Sequence, residues 1–217
     1  MAEQQEWDKE RAEQHARWAK MASRLSYAPF ARRIVRSIAP LERDSTIVDL
    51  GTGPGILSIE INKLLPQAKI IGVDPSSEML EIARKNTEEA GMSNYETRLG
   101  KAEEIPIESN SVNLVVTQSS FHEWEDPQKG LSEIFRILKP GGSLILKDYN
   151  RDWLSKWRRN LFKFFMAMVG ESYEDHLEMF KFTFDEVADS LREAGFDEIK
   201  GKGKGRGLEL FVQALKR

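Results

Sequence analysis

Ile47-Val48-Asp49-Leu50-Gly51-Thr52-Gly53-Pro54-Gly55 is a short apolar run that stops on an acid and then on three glycines in five residues. Ile56 to Leu65 continues at helical spacing, so the stretch reads strand, glycine turn, helix. Glycines at such a turn permit positive φ and let a ligand approach bare backbone. The helix N-terminus behind them presents unpaired N–H groups and a partial positive charge. The next apolar run, from Lys69, ends on Asp74, 19 residues after Gly55, where a carboxylate can accept both hydroxyls of a ribose. Together the two signals point to an adenosine-type ligand at the carboxyl edge of a parallel sheet. A ligand-free tight turn is the bland alternative, and the acid closing the second strand weighs against it.

Working outward, Ser76 or Ser77 can cap a helix that holds Met79, Leu80, Ile82 and Ala83 and runs towards Gly91. Tyr95 to Leu99 reads as a weak strand and Ser111 to Thr117 as a buried one. Leu131 to Leu138 reads as a helix stopped by Pro140-Gly141-Gly142, with a strand from Ser143 to Leu146 behind it. Short apolar strands alternating with helices define an α/β fold, a parallel sheet covered on both faces. Upstream, Glu3 to Ala39 is helical in composition and Pro29 divides it. Downstream, Arg151 to Phe180 is rich in aromatics, and Thr183 to Glu186 is a capping box opening a helix through Leu191. Phe196 to Ile199 and Leu208 to Leu215, joined by Gly201 to Gly207, form a closing strand pair that is antiparallel. The expectation is one domain over 1–217, with a helical cap (1–44), a binding core (45–150), an aromatic insertion (151–181) and a C-terminal helix and strand pair (182–217).

Composition narrows the chemistry. The 217 residues carry 32 Lys and Arg against 35 Asp and Glu, a formal charge of −3. That balance argues against a dedicated nucleic-acid binder. There is no cysteine, so disulfides, thiolate metal sites and cysteine nucleophiles are excluded. His15, His122 and His176 lack ligand spacing, and no metal is expected. The charged stretch Met1 to Gln14 lacks the apolar core of a signal peptide, and no run nears the roughly 20 apolar residues of a membrane span. A cytoplasmic protein is expected.

The glycines are spaced G-x-G-x-G, one residue tighter than the dinucleotide pattern G-x-G-x-x-G. Asp49 before them would repel a pyrophosphate but can hold an ammonium. S-adenosylmethionine has an ammonium and no phosphate, so the physics favours it over NAD. Here the sequence resembles a known family. VDLGTGPG (48–55), IGVDPSSEML (71–80), GKAEEIP (100–106), SVNLVVTQSSFHEWEDP (111–127) and EIFRILKPGGSLIL (133–146) are similar, in order, to the motifs of class I S-adenosylmethionine-dependent methyltransferases. FTFDEVADSLREAGF (182–196) resembles the late helix and strand of that fold. The resemblance implies a Rossmann-like, seven-stranded, mostly parallel sheet with helices on both faces, the last strand antiparallel, and a helical N-terminal cap. It further implies that Gly51, Thr52, Gly53 and Gly55 surround the methionine part of the cofactor, with Asp49 beneath its amino group. Asp74 would take the ribose hydroxyls, and Pro75, Ser76 and Met79 would flank the adenine. Ala102 and Glu103 would border its other side. Gln118 and Ser119 would face the methyl-bearing end. Apart from the resemblance, Tyr27, with Trp18, reads either as closing the cofactor from the N-terminal helices or as packing of a lid. Many members carry Asp where this chain has Lys101, which leaves the adenine amino group to backbone or to Glu103. The product would be S-adenosyl-L-homocysteine.

Methyl transfer from a sulfonium is an in-line displacement that needs alignment, exclusion of water and, for some acceptors, a base. His122, with Glu123, follows the fourth strand at the edge where ligands bind, and reads either as base or as a residue holding the loop. Asp148 and Tyr149 follow the fifth strand and read as substrate contacts or loop caps. From Trp153 to Met168 apolar residues share one helical face, with Lys156, Arg158, Arg159 and Lys163 largely off it. That pattern reads as a lid packed on the core, or as an amphipathic helix in peripheral membrane contact. Lys200, Lys202, Lys204 and Arg206 alternate with glycines, a solvated hairpin or a second basic patch. The expected activity is methyl transfer to a small, apolar or aromatic acceptor, without nucleic acid. The rivals are a non-catalytic S-adenosylmethionine-binding module, a methyltransferase acting on nucleic acid or protein, and a nucleotide-dependent oxidoreductase.

Overall fold

A computed structural model of the chain describes residues 9–38, 45–169, 173–202 and 207–217. Lys204 and Arg206 lie outside the described residues, as does the side chain of Lys202. The chain begins with α1 (Lys9–Ala22), a π-type turn (Ser23–Tyr27) and α2 (Ala28–Ser37). Pro29 lies in the first turn of α2, where its missing N–H would have no intrahelical partner. The expected division of the N-terminal stretch therefore falls at this turn.

Seven strands follow: β1 (Thr46–Leu50), β2 (Lys69–Asp74), β3 (Tyr95–Leu99), β4 (Val112–Gln118), β5 (Leu138–Tyr149), β6 (Asp197–Lys202) and β7 (Glu209–Leu215). Their order in the sheet is β3-β2-β1-β4-β5-β7-β6. β1 pairs in parallel with both β2 and β4, and the chain reverses its direction of travel across the sheet between them. That switch point opens a crevice at the carboxyl ends of the strands. β7 is antiparallel to β5 and to β6, which fits the expected seven-stranded, mostly parallel sheet.

Period-two alternation sorts the strand residues between two layers. Ile47, Ile70, Leu114, Val116 and Ile145 face α2 and α3 (Ile56–Asn62), meeting Phe30, Ile34, Leu57 and Ile61. Val48, Leu50, Val115, Leu144 and Leu146 face α5 (Pro127–Ile137) and α8 (Phe184–Glu193), meeting Leu131, Ile134, Val187 and Leu191. Thr183 and Glu186 form the expected capping box on α8. Between β2 and β3 lies α4 (Ser77–Glu89), capped by the Ser76 hydroxyl, which accepts from the Met79 N–H at 3.1 Å. The expected break between helix and strand near residue 140 is sharper. α5 ends at Ile137, Leu138 already pairs with Val112, and pairing resumes at Ser143 opposite Leu114. The intervening Pro-Gly-Gly forms a bulge, with Gly141 at φ 81°. α6 (Lys156–Val169) and α7 (Tyr173–Leu177) form the aromatic segment. No helix among the described residues is long and apolar enough to cross a membrane.

Candidate active site

The glycine turn holds left-handed backbone at Gly51 (φ 70°), Gly53 (49°) and Gly55 (77°). The N–H groups of Gly51 and Thr52 both donate to the Val73 carbonyl, at 2.8 and 3.0 Å, which ties the turn to β2. A Cβ on Gly51 would lie 2.2 Å from Ser120 Oγ, whereas one on Gly53 would have no atom within 4 Å. Gly51 thus lets the loop after β4 close onto the turn, and Gly53 faces open space. Gly72, further down β2, leaves room for the Tyr95 hydroxyl, which hydrogen-bonds to Thr52 Oγ1 at 3.2 Å beneath the turn.

Two buried carboxylates flank this turn. Asp49 Oδ2 accepts from Thr52 Oγ1 at 3.0 Å and from Ser58 Oγ at 2.7 Å. Burial pushes its acid up to about 6 against the pull of those hydrogen bonds. Asp74 accepts the Gly53 N–H on Oδ2 at 2.8 Å and the Ser76 N–H on Oδ1 at 3.0 Å. Burial raises its acid as well. Each Asp74 oxygen accepts one of these and has a further lone pair for a ligand hydroxyl. Met79 is buried at the start of α4, while Pro75 is exposed. Across β3, Ala102 packs in the core and Glu103 accepts the Asp126 N–H at 3.2 Å. Lys101 points away to Glu125, at 3.2 Å.

From the other side, the turn after α1 reaches the same edge. Ser26 Oγ accepts from Gln118 Nε2 at 3.0 Å and from Lys147 Nζ at 3.1 Å. Lys147 is buried, pairs with Glu209 at 3.1 Å and sits 5.1 Å above the Phe30 ring. Burial, then the nearby Asp49 and Tyr149, push the Tyr27 hydroxyl up to about 12, so the N-terminal turn stands over Asp49. Ser119 takes φ 53°, and its N–H donates to the Lys147 carbonyl at 2.9 Å. A non-glycine residue in that region marks local strain where β4 leaves the sheet.

The three candidates for chemistry come together. His122 is buried in the middle of a single 3₁₀ turn (Phe121–Glu123), and its Nδ1 lies 2.8 Å from Asp148 Oδ1. Asp148 also accepts the His122 N–H at 3.1 Å and the Tyr149 N–H at 2.7 Å. Burial alone would lower the imidazole; the Asp148 hydrogen bond and charge outweigh it and raise the imidazole above its ordinary value. The Tyr149 ring meets His122 edge-on at 5.7 Å and Phe180 at 5.4 Å. Phe180 in turn stacks on Trp153 at 5.8 Å and contacts Phe162. His15 is on α1, away from this group, and the side chain of His176 lies outside the described residues. Among the described residues no three His, Asp or Glu side chains could hold a metal ion.

Sequence reasoning missed Ser26, Ser58, Tyr95 and Lys147. Ser58 was within reach, since it lies in the first turn of the helix behind the glycines. A lysine closing the apolar run Leu144-Ile145-Leu146 was a signal for Lys147, because an unpaired lysine is rarely buried. Ser26 and Tyr95 carried no local signal.

These residues suit a ligand with a ribose and a cation. Asp74 and Asp49 supply the two buried carboxylates at the turn, and burial opposes the ionisation of both. Gln118 Oε1 is buried without a hydrogen-bond partner in the protein, so it can accept from an N–H of the ligand. Gly53 leaves room for it. The fold and site define an α/β protein whose glycine turn, flanked by two buried carboxylates, suits a nucleoside ligand.

Residues 41–195 match the family model of a methyltransferase domain. The chain belongs to that family, and it is a class I S-adenosylmethionine-dependent methyltransferase, with S-adenosyl-L-methionine as its cofactor. It is 28% identical over 189 residues to the demethylmenaquinone methyltransferase of Oceanobacillus iheyensis, covering 81% of this chain and 79% of that one. A crystal structure from Methanococcus maripaludis, assigned as an S-adenosyl-L-methionine-dependent methyltransferase, superposes with a TM-score of 0.74 at 26% identity, covering 100% of this chain and 97% of that one. Phosphoethanolamine N-methyltransferase 2 of Haemonchus contortus, solved with S-adenosylhomocysteine, shares the fold (TM-score 0.68, 17% identity, 87% of this chain and 52% of that one).

Proposed function

We propose that this methyltransferase acts on a small, apolar or aromatic acceptor seated between the N-terminal helices and the aromatic segment, with His122 as the base. The observation that carries the reading is the His122–Asp148 pair opening onto the aromatic cluster of Tyr149, Phe180, Trp153 and Phe162. Bound S-adenosylmethionine supplies an electrophilic methyl group. Asp49 and Asp74 hold its charged and hydroxyl groups, with Gln118, Ser119 and Tyr27 beside them. Pro75, Ser76, Met79, Ala102 and Glu103 lie on the adenine side. Asp148 accepts the Nδ1 proton of His122, which fixes the tautomer and leaves Nε2 to take a proton from an acceptor hydroxyl or an acidic C–H. Tyr149 and the aromatic rings exclude water and supply flat apolar contacts to a ring.

The Oceanobacillus relative is named for demethylmenaquinone, a quinone, which agrees with an apolar, ring-bearing acceptor. An acceptor of that class partitions into lipid, so peripheral membrane contact through Trp153–Met168 belongs to the same reading. The test is S-adenosylhomocysteine formation against a panel of phenols, hydroquinones and aliphatic amines, with RNA and protein fractions alongside. Turnover on ring-bearing compounds, lost in His122→Ala at unchanged cofactor affinity, supports the proposal. Turnover on RNA or protein alone, or cofactor binding with no turnover on any acceptor, overturns it.

A further inference from the structure

α6 has two apolar faces. Phe162 and Met166 turn inward, Met166 buried and Phe162 against Trp153 and Phe180. Trp157, Leu161, Phe164 and Met168 turn outward and are 59–67% exposed. Their spacing of four, three and four residues makes one continuous stripe along the helix. A second exposed stripe, Trp18, Met21 and Leu25, runs along the end of α1 and into the turn that ends at Ser26 and Tyr27. Of the ten large apolar side chains exposed among the described residues, seven belong to these two segments. Both segments cover the carboxyl edge of the sheet, one through Ser26 on Gln118 and Lys147, the other through Phe180 on Tyr149.

The charge is as uneven as the hydrophobicity. α6 carries Lys156, Arg158, Arg159 and Lys163 and no acid. Lys9–Tyr27 carries five bases and two acids. The two segments therefore hold +4 and +3 in a chain of −3, which leaves −10 for everything else. Arg158 lies over the rings of Trp153 and Trp157, and Lys163 over Tyr173, so their stems run along the apolar surface beside the stripe.

We propose that the outer stripe of α6, together with the Trp18–Leu25 stripe, docks the protein on an anionic phospholipid bilayer, with the active-site edge facing the lipid. Trp, Phe, Leu and Met enter the headgroup boundary while the flanking bases meet anionic headgroups. A second copy is a worse occupant, because a two-fold contact through α6 sets four bases against four with no acid between them. Trp18, Trp157 and Phe164 suit base stacking, but Met21, Leu25, Leu161 and Met168 offer a nucleic acid no such contact and suit lipid. The inference deepens the proposed function by stating where a lipophilic acceptor is collected. Its test reads vesicle binding and not turnover, so failure of the docking is distinguishable from failure of the acceptor reading.

The experiment is co-sedimentation of the full chain with vesicles of phosphatidylglycerol and phosphatidylcholine, and with phosphatidylcholine alone. The wild type is expected to bind the anionic vesicles and to be released by high salt. Trp157→Ser with Phe164→Ser is expected to lose at least tenfold in partitioning. Arg159→Gln with Lys163→Gln is expected to lose about 30-fold on anionic vesicles, from roughly fivefold per headgroup-facing base, and little on neutral ones. Unchanged S-adenosylhomocysteine affinity in each variant shows that the fold is intact. Failure of the wild type to bind anionic vesicles overturns the proposal, as does equal binding by the apolar variant. A dimer of the wild type in light scattering that the Trp157 and Phe164 changes dissolve assigns the stripe to a second copy, and overturns it too.

Discussion

If Asp49 holds the cofactor's ammonium as proposed, it couples cofactor binding to pH. Its carboxyl is buried and pushed up to about 6, with Thr52 and Ser58 donating to it. If the ionised form receives the ligand ammonium, affinity scales with the ionised fraction. That fraction is about nine-tenths at pH 7 and about one-tenth at pH 5, so affinity falls about tenfold between them. An α-amino group with pKa near 8 stays charged throughout this range, so the ligand does not blur the slope. Calorimetric titration with S-adenosylhomocysteine at pH 5, 6 and 7 measures it, and Asp49→Asn is the matched variant. Burial raises Asp74, and the Asp148 hydrogen bond and charge raise His122; both remain in Asp49→Asn, so a slope left in the variant belongs to groups other than Asp49. At pH 7 the variant is expected to bind 10- to 100-fold more weakly, the worth of about 1.5–3 kcal/mol for a charged hydrogen bond. The stability of the free protein moves the opposite way. A carboxyl raised from 3.8 to about 6 contributes its full stability below 3.8 and loses it as pH rises through 6. Above that the ionised group costs about 3 kcal/mol. Asp49→Asn should therefore unfold later than wild type at pH 7 in the absence of ligand. A wild-type slope that persists unchanged in Asp49→Asn would refute the reasoning.

Asp74→Ala removes the carboxylate that two backbone N–H groups and the ribose share, and should weaken S-adenosylhomocysteine about 100-fold by the same hydrogen-bond magnitudes, read by calorimetry. Unchanged affinity would remove Asp74 from the cofactor. His122→Ala should cut methyl transfer by a factor of 10² to 10⁴ with cofactor affinity retained. Because the Asp148 hydrogen bond raises the imidazole, the wild-type rate should climb with pH through a midpoint above 6.5, and Asp148→Asn should shift that midpoint down. A wild-type pH profile in the Asp148 variant would reduce the pair to scaffolding. Gly51→Ala and Gly53→Ala should fail differently. The first drives a Cβ to 2.2 Å from Ser120 Oγ and should lower the melting temperature. The second meets open space and costs only about 1–2 kcal/mol of left-handed strain, yet should abolish cofactor binding in a folded protein.

The sheet, its order of elements and the glycine turn were legible because local signals carry them. Ile47, Val48 and Leu50 alternate between two buried layers, and glycine is the residue that left-handed backbone accepts. Asp49 and Asp74 were legible because each stands at the end of such a run. The N-terminal side of the site was much less so. Tyr27 was expected over the cofactor, but the cluster of Ser26, Gln118 and Lys147 spans 121 residues of chain and exists only after β4 and β5 pair. The two faces of α6 were hidden for another reason. With Phe162 and Met166 apolar on one side and Trp157, Leu161, Phe164 and Met168 on the other, composition cannot say which face meets the core.

Several unfavourable features gather at the carboxyl edge of the sheet, while Asn110 and Glu198 hold positive φ, and Ser45 Oγ and Asn62 Oδ1 lack partners, elsewhere among the described residues. Gly51, Gly53, Gly55 and Ser119 hold positive φ, Asp49 and Asp74 hold carboxylates against burial, and Thr117 Oγ1 and Gln118 Oε1 are buried without partners. The left-handed Ser119, the two buried carboxylates and the two partnerless oxygens cost stability in the free protein, and a sheet edge selected for stability alone would replace the buried polar groups with apolar contacts. In the proposed binding mode, an ammonium beside Asp49 removes the largest of these costs by favouring the ionised form. Ribose hydroxyls on Asp74 and a donor on Gln118 remove others. The free protein therefore carries part of the binding energy in advance, as strain and desolvation already in place before the ligand arrives. Asp49→Asn tests this coupling directly, since one substitution should strengthen the free fold and weaken the complex.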